Sequence, residues 1–273
     1  MEKLQAALDK ARRERGANIA EQASAIEQPG RPGGKPMRKA NGLWQDFDTF
    51  TVPNKVLEHY RVVTQSAGPS AAPFDILRTK ILVQMRQNGW KRLAITSPMP
   101  QSGKSTTACN LALGLGRQPE LRSILLDLDL RSPSVNTYFD TQPKYGIGEM
   151  LRGEVDFSQQ ALRIGDNVAV SMAQKAEKDP SQLLLSEETA AVLDAIEADY
   201  NPDLMIFDLP SVLVNDDTRA FLSKVDCALI VIRANVTRYT QFDTCEREIA
   251  EQTNVLGVVL NAYSSASSKK YNN

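Results

Sequence analysis

Gly103-Lys104-Ser105-Thr106 sets a cation and two hydroxyls directly after a glycine. The preceding loop, residues 96–102, is fed by the apolar run Leu93-Ala94-Ile95, and a helix-like run, residues 107–113, follows. A strand, a tight loop and Gly-Lys-Ser at a helix start turn successive backbone N–H groups and the positive end of the helix dipole toward an anion. Lys104 adds a mobile point charge for the outer phosphates of a nucleotide, and the Ser105 hydroxyl can ligand Mg²⁺. The strict phosphate-loop pattern has a glycine five residues before Gly103, where this chain has Pro98. Lys104 is expected on an exposed loop, where its loss removes a phosphate partner and no core packing.

Two later runs carry the carboxylates that such chemistry needs. Ile124-Leu125-Leu126-Asp127-Leu128-Asp129-Leu130-Arg131 reads as a buried strand ending in two carboxylates and a guanidinium. Asp127 and Asp129 are two apart, so at a strand end they are expected to point the same way. Met205-Ile206-Phe207-Asp208-Leu209-Pro210 is a second apolar run ending in a carboxylate, stopped by Pro210. Ligands of open parallel sheets bind beyond the carboxyl ends of the strands. A phosphate loop, an Asp pair and a single Asp at three strand ends suit Mg²⁺-dependent phosphoryl transfer. Its loose transition state asks for positioning and electrostatic stabilisation more than covalent chemistry.

The elements that must position these groups follow from the rest of the 273 residues. Alternating helix and strand patterns from about Ala71 predict an α/β fold: a mostly parallel P-loop sheet flanked by helices, preceded by an N-terminal helix and a flexible linker. Strands are expected near residues 93–96, 123–128, 168–172, 204–208, 228–232 and 256–260, with helices near 105–116, 187–200, 218–224 and 239–252. Phe74, Leu77, Ile81, Leu82 and Met85 mark a further amphipathic helix. The domain divisions are 1–42 for the helix and linker, 43–262 for the nucleotide-binding domain and 263–273 for a polar tail expected to be disordered. Leu4, Ala7, Leu8 and Ala11 form a narrow helical stripe, and the Pro/Gly-rich residues 29–36 read as linker. Leu43, Trp44, Phe47 and Phe50 are expected to pack onto the main domain.

Composition excludes other classes. The chain is 42% hydrophobic and 24% charged with net charge −1, so no global field draws it to nucleic acid or anionic lipid. No apolar run approaches bilayer-spanning length, and the first residues lack a signal-peptide core. A cytoplasmic location is expected, peripheral to the inner membrane face through a partner. Cys109, Cys227 and Cys245 lack CxxC spacing and read as reduced, buried thiols. His59 is the only histidine, which rules out a zinc site built from several histidines.

Taken in order, the 96–106 loop, the Asp-x-Asp-x-Arg of residues 127–131 and the Asp-x-Pro of residues 208–210 resemble the bacterial tyrosine kinases of polysaccharide export, P-loop proteins of the wider partition-ATPase class. Residues 146–153, Pro180-Ser-Gln-Leu-Leu and Leu256-Gly-Val-Val-Leu-Asn261 resemble further segments of that family. The resemblance covers about residues 71–261. It implies ATP and Mg²⁺ as cofactors, with Gln101, Ser102 and Gly103 in the phosphate cradle, Lys104 on the β and γ phosphates, and Thr106 on the α phosphate. Ser105, Asp129 and Asp208 would hold Mg²⁺, and Asp127 would accept the proton of a tyrosine hydroxyl. Asn261 either meets the adenine or caps its strand end. The implied activity is ATP-dependent protein-tyrosine (auto)phosphorylation governing exopolysaccharide or capsule synthesis and export. The implied partners are a separate membrane co-polymerase, through its cytoplasmic tail, and other copies of the chain; no nucleic acid is expected.

The chain departs from the family pattern at several points. Gln101-Ser102 replaces Gly-Glu, and glutamine enters φ > 0 less cheaply than glycine. Of the ring-forming acidic and basic motif, at Ala72, Asp75 and Arg78, only Arg78 fits. The C-terminal tyrosine cluster shrinks to Tyr263 and Tyr271, and Ser211 stands where a second proline is usual. Met99 occupies the position of a lysine in the partition-type relatives. Two other functions stay open: a partition-type switch ATPase, and a non-catalytic nucleotide-binding regulator of the export complex.

Overall fold

The computed structural model describes residues 42–263. The expected N-terminal helix, the linker at 29–36, the tail at 264–273 and Tyr271 lie outside the described residues. After a helical turn at 42–45 the order is β1 (Asp48–Thr49), α1 (Asn54–His59), α2 (Ala72–Asn88), β2 (Arg92–Thr96), α3 (Lys104–Gly116), β3 (Ser123–Asp127), α4 (Val135–Tyr138), α5 (Ile147–Leu151), α6 (Phe157–Gln160), β4 (Leu162–Ile164), β5 (Val168–Ser171), α7 (Pro180–Leu185), α8 (Glu187–Tyr200), β6 (Leu204–Asp208), α9 (Asp217–Leu222), β7 (Cys227–Arg233), α10 (Tyr239–Ala250) and β8 (Asn254–Asn261).

The strands form one sheet in the order β1-β4-β5-β3-β6-β2-β7-β8. It is mostly parallel; among these pairs β4 and β5 run antiparallel. Every residue of β3 and β6 is buried, which is why both read as unbroken apolar runs rather than alternating ones. Alternation still sorts their side chains. Leu125 and Ile206 enter one core with Leu111 and Leu115 of α3 and Ile81 and Met85 of α2. Ile124, Leu126, Met205 and Phe207 enter the other, with Leu193 of α8 and Ile249 of α10. Two strands escaped the pattern reading, β1 and β4. They are two and three residues long, too short for a period to show.

Helix boundaries follow local chemistry. α8 starts where the Ser186 hydroxyl accepts from the Thr189 N–H at 3.1 Å, and it ends at Asn201 with φ 42°. The aromatic cluster docks as expected. Trp44 is 2% exposed and its indole N–H donates to the Tyr200 carbonyl at 2.9 Å. Phe47 stacks on Tyr200 with ring centroids 5.1 Å apart. Trp44→Ala is therefore expected to destabilise the protein by about 3–5 kcal/mol, and Trp44→Phe, which loses the hydrogen bond and part of the ring, by less. Urea unfolding measures both; a loss below about 1 kcal/mol for the alanine variant would detach this segment from the cooperative core. The three cysteines are free and buried, and burial pushes the Cys227 thiol up to about 12.

Candidate active site at the strand ends

The β2–α3 loop lies at the carboxyl ends of the central strands, where β2 is flanked by β6 and β7. Gly103 precedes α3 with φ 94°, and a Cβ there would come within 2.0 Å of the Asn261 side-chain nitrogen. Only glycine fits both the backbone and the space. Gln101 adopts φ 60°, the left-handed conformation that the sequence predicts to be costly for it. Its carbonyl accepts from Arg233 Nη1 at 3.1 Å, and the Ser102 carbonyl accepts from Asn261 Nδ2 at 2.9 Å. Donors from the ends of β7 and β8 thus tie down the loop. Asn261 also uses its Oδ1 to accept from the Ala262 N–H, as a strand-end cap does, and it lines a cleft of about 560 Å³ together with Phe74, Gln101, Lys104, Thr106 and Tyr138.

Lys104 is not on an exposed loop. It is the first residue of α3 and 8% exposed, because the chain after β6 folds across it. Its Nζ lies 3.3 Å from the Ser211 hydroxyl. Beside it, the Ser105 hydroxyl accepts from Ser134 Oγ at 3.1 Å, and Thr106 Oγ1 pairs with the Tyr138 hydroxyl at 3.0 Å. Tyr138 in turn faces Tyr60, ring centroids 4.8 Å apart.

Asp127 and Asp208 are register partners across β3 and β6, and both are fully buried. Asp127 Oδ2 accepts from the backbone N–H groups of Ser134 and Val135 at 3.2 and 3.1 Å, holding the start of α4. Its other oxygen, and both oxygens of Asp208, are buried without a protein hydrogen-bond partner. Burial, and then the charge of Asp208, hold Asp127 well above the usual carboxylate range. Burial pushes Asp208 up to about 7, against the pull of the Lys104 charge and the nearby Ser105 hydroxyl. Asp129 lies past the end of β3 and is half-buried, so strand alternation does not set its direction. The turn does: Ser132 donates its N–H to both the backbone and side-chain oxygens of Asp129. Burial raises Asp129 as well, with Lys104 pulling the other way.

Buried, unpartnered carboxylate oxygens beside a lysine and a serine hydroxyl fit a divalent cation, whose charge would satisfy what the protein leaves open. Among the described residues no group of three or more His, Cys, Asp or Glu is arranged to hold a metal alone. This donor set suits Mg²⁺, which keeps several waters and takes phosphate oxygens as ligands.

Several contacts around the site join segments far apart in the chain, and the local sequence does not show them. Arg131 makes a two-point contact to buried Asp217 at 2.7 and 2.9 Å, joining the β3 loop to α9. Tyr138 and Arg233 reach the loop from distant elements. Asp75, at the second position of the ring-motif alignment, pairs with Arg78 and Arg117.

Fold and site define a P-loop α/β protein of the doubly wound type. Within that class the chain is similar to proteins named as bacterial tyrosine-protein kinases. Over 201 residues it is 27% identical to the tyrosine-protein kinase YwqD of Bacillus subtilis, covering 73% of this chain and 84% of that protein. Over 199 residues it is 29% identical to the putative tyrosine-protein kinase EpsB of Ralstonia nicotianae, covering 71% of this chain but only 26% of that protein. The kinase domain of VpsO superposes with a TM-score of 0.64 at 25% identity, covering 71% of this chain and 95% of that domain. No family model matches the chain.

Proposed function

We propose that the chain binds ATP with Mg²⁺ at the ends of β2, β3 and β6 and transfers the γ-phosphoryl group to tyrosine, its own or that of another copy. The observation that carries this is the pair of buried, register-matched carboxylates, Asp127 and Asp208, set beside Lys104 and Ser105. Similarity to proteins named tyrosine-protein kinases selects tyrosine as the acceptor class.

In this reading Gln101, Ser102 and Gly103 supply the loop backbone to the phosphates. Lys104 neutralises the β and γ phosphates, and Thr106 reaches the α phosphate when Tyr138 releases its hydroxyl. Asn261 stays on the Ser102 carbonyl, holding the cradle beneath the nucleotide. Ser105, Asp129 and Asp208 would hold Mg²⁺, which when bound neutralises charge shared between the outer phosphates. Asp127 takes the proton of the tyrosine hydroxyl on its unpartnered oxygen. The tyrosine oxygen bonds to the γ phosphorus as the bond to the bridging oxygen breaks and ADP leaves. Because Asp127 is fully buried, the turn at 129–134 must open for the acceptor to reach it.

The cellular role we infer is control of exopolysaccharide or capsule synthesis and export. Among the described residues no helix is long and apolar enough to cross a membrane; in this reading membrane contact runs through a separate co-polymerase, with assembly into a homo-oligomer as part of its cycle. Tyr263, 67% exposed at the end of β8, is an accessible acceptor. Incubation with Mg·ATP and the cytoplasmic tail of a co-polymerase is expected to place phosphate on Tyr263 or Tyr271, read by mass spectrometry. ATP hydrolysis without phosphotyrosine would overturn the kinase reading in favour of a switch ATPase; binding with neither outcome would leave a regulator.

A further inference from the structure

Ser211 is 3% exposed and lies directly behind the phosphate-binding lysine. Its position is over-determined. The Pro210 carbonyl accepts from the hydroxyls of both Thr96 and Thr218, at 2.6 and 2.8 Å. The next residues are laced to the loop as well, Val212 N–H to the Ser97 carbonyl at 2.9 Å and Leu213 N–H to the Pro98 carbonyl at 3.3 Å. A side chain held so firmly between two elements is posed by the fold and has little freedom to drift.

The hydrogens in this cluster have one consistent direction. Lys104 is donor-only, so its Nζ donates to Ser211 Oγ. Ser97 Oγ donates to the Met99 carbonyl at 2.7 Å, which uses its single hydrogen. The 3.1 Å contact between Ser211 and Ser97 is therefore donated by Ser211. The Met99 carbonyl also accepts from Ser102 Oγ at 2.8 Å. The relay runs from Lys104 through Ser211 and Ser97 into the carbonyl at the turn of the phosphate loop. Ser211 is thereby fixed as an acceptor toward the ammonium.

Without that acceptor the ammonium is left to the pull of the carboxylates, since the Lys104 charge acts on both Asp208 and Asp129. An ammonium collapsed onto a carboxylate is mispositioned for phosphate and occupies the oxygens that a cation would need. We propose that Ser211 is a positioning residue for nucleotide binding: through the Ser211–Ser97–Met99 relay it holds Lys104 off the carboxylates and aimed at the outer phosphates. The proposal rests on the nucleotide-site reading above and adds to it a residue that acts only through Lys104.

The test is calorimetric titration of the full chain with ADP and with AMP, each with Mg²⁺, for wild type, Ser211→Ala, Ser211→Thr and Ser97→Ala. Thermal melts confirm that each variant is folded. Wild-type failure to bind ADP would defeat the nucleotide-site reading itself. Given wild-type binding, Ser211→Ala is expected to weaken ADP about tenfold, the size of one charge-assisted hydrogen bond. AMP, which does not extend to the outer phosphates, should change by less than about twofold on the same scale. Ser211→Thr keeps the hydroxyl and should restore ADP binding, while Ser97→Ala, which removes the relay's next acceptor, should fall between. In a Lys104→Ala background, Ser211→Ala should have no further effect. Equal losses for ADP and AMP would mark a merely structural role, and unchanged ADP binding in both alanine variants would overturn the relay; if Ser211→Ala fails to fold, Ser97→Ala and Ser211→Thr decide.

Discussion

Lys104→Ala should bind Mg·ADP about ten- to a hundredfold weaker than wild type while remaining folded, since the charge-assisted contact to the β phosphate is worth about 1.5–3 kcal/mol. The burial of Lys104 changes the reason for expecting a folded variant. Its ammonium packs against Ser211 rather than into either apolar core, so its removal opens a polar gap and no hydrophobic cavity. The variant does lose a cation that faces Asp208 and Asp129, and those carboxyls should hold their protons more tightly for it. A modest fall in thermal stability is therefore expected above neutral pH. Retained wild-type affinity for Mg·ADP would remove this loop from the site, whatever the fold similarity.

What was legible in the sequence is what local chemistry dictates. The Gly103-Lys104-Ser105 start of α3 was visible because a glycine, a cation and a hydroxyl at a helix start serve few other ends. Asp208 was visible because an apolar run of strand length stops at a carboxylate and then a proline, and the structure places it at the end of β6. The central strands were visible because burial on both faces leaves continuous apolar runs.

The hidden parts depend on contacts between segments far apart in the chain. That Lys104 is buried follows from residues 210–213 lying along 96–98, more than a hundred positions away, and no local pattern carries that. The tie between Arg233 and Gln101 is equally remote. At Gln101 the propensity argument gives the cost of φ > 0 and not what offsets it: tertiary hydrogen bonds hold the residue at φ 60° at a cost of about 1–3 kcal/mol that its own backbone preference would avoid. The different settings of Asp127 and Asp129 went unseen because alternation ends with β3, at Asp127, and a turn takes over.

Asp208→Asn should move stability and ligand binding in opposite directions. The Asp208 carboxyl is raised from its ordinary 3.8 to about 7 in the folded protein, with both oxygens buried and without a protein partner. Between those two values the folded state holds the proton more often than the unfolded state does. Stability is therefore fully present below about pH 4, falls as pH rises toward 7, and stays reduced above it, where the buried group must carry charge in both states. An amide of the same shape cannot ionise, so the variant without nucleotide should be more stable than wild type at pH 8, by about 1–3 kcal/mol. That advantage should shrink toward zero near pH 4, as denaturant unfolding across the range would record. The same substitution removes the charge proposed to face Mg²⁺, so the strengthening of ADP binding by Mg²⁺ should be largely lost. A variant less stable than wild type at pH 8 would mean that attraction to Lys104 outweighs desolvation and repulsion from Asp129. A gain in stability with the Mg²⁺ effect intact would instead keep Asp208 as a strained buried acid and move the cation to Ser105 and Asp129.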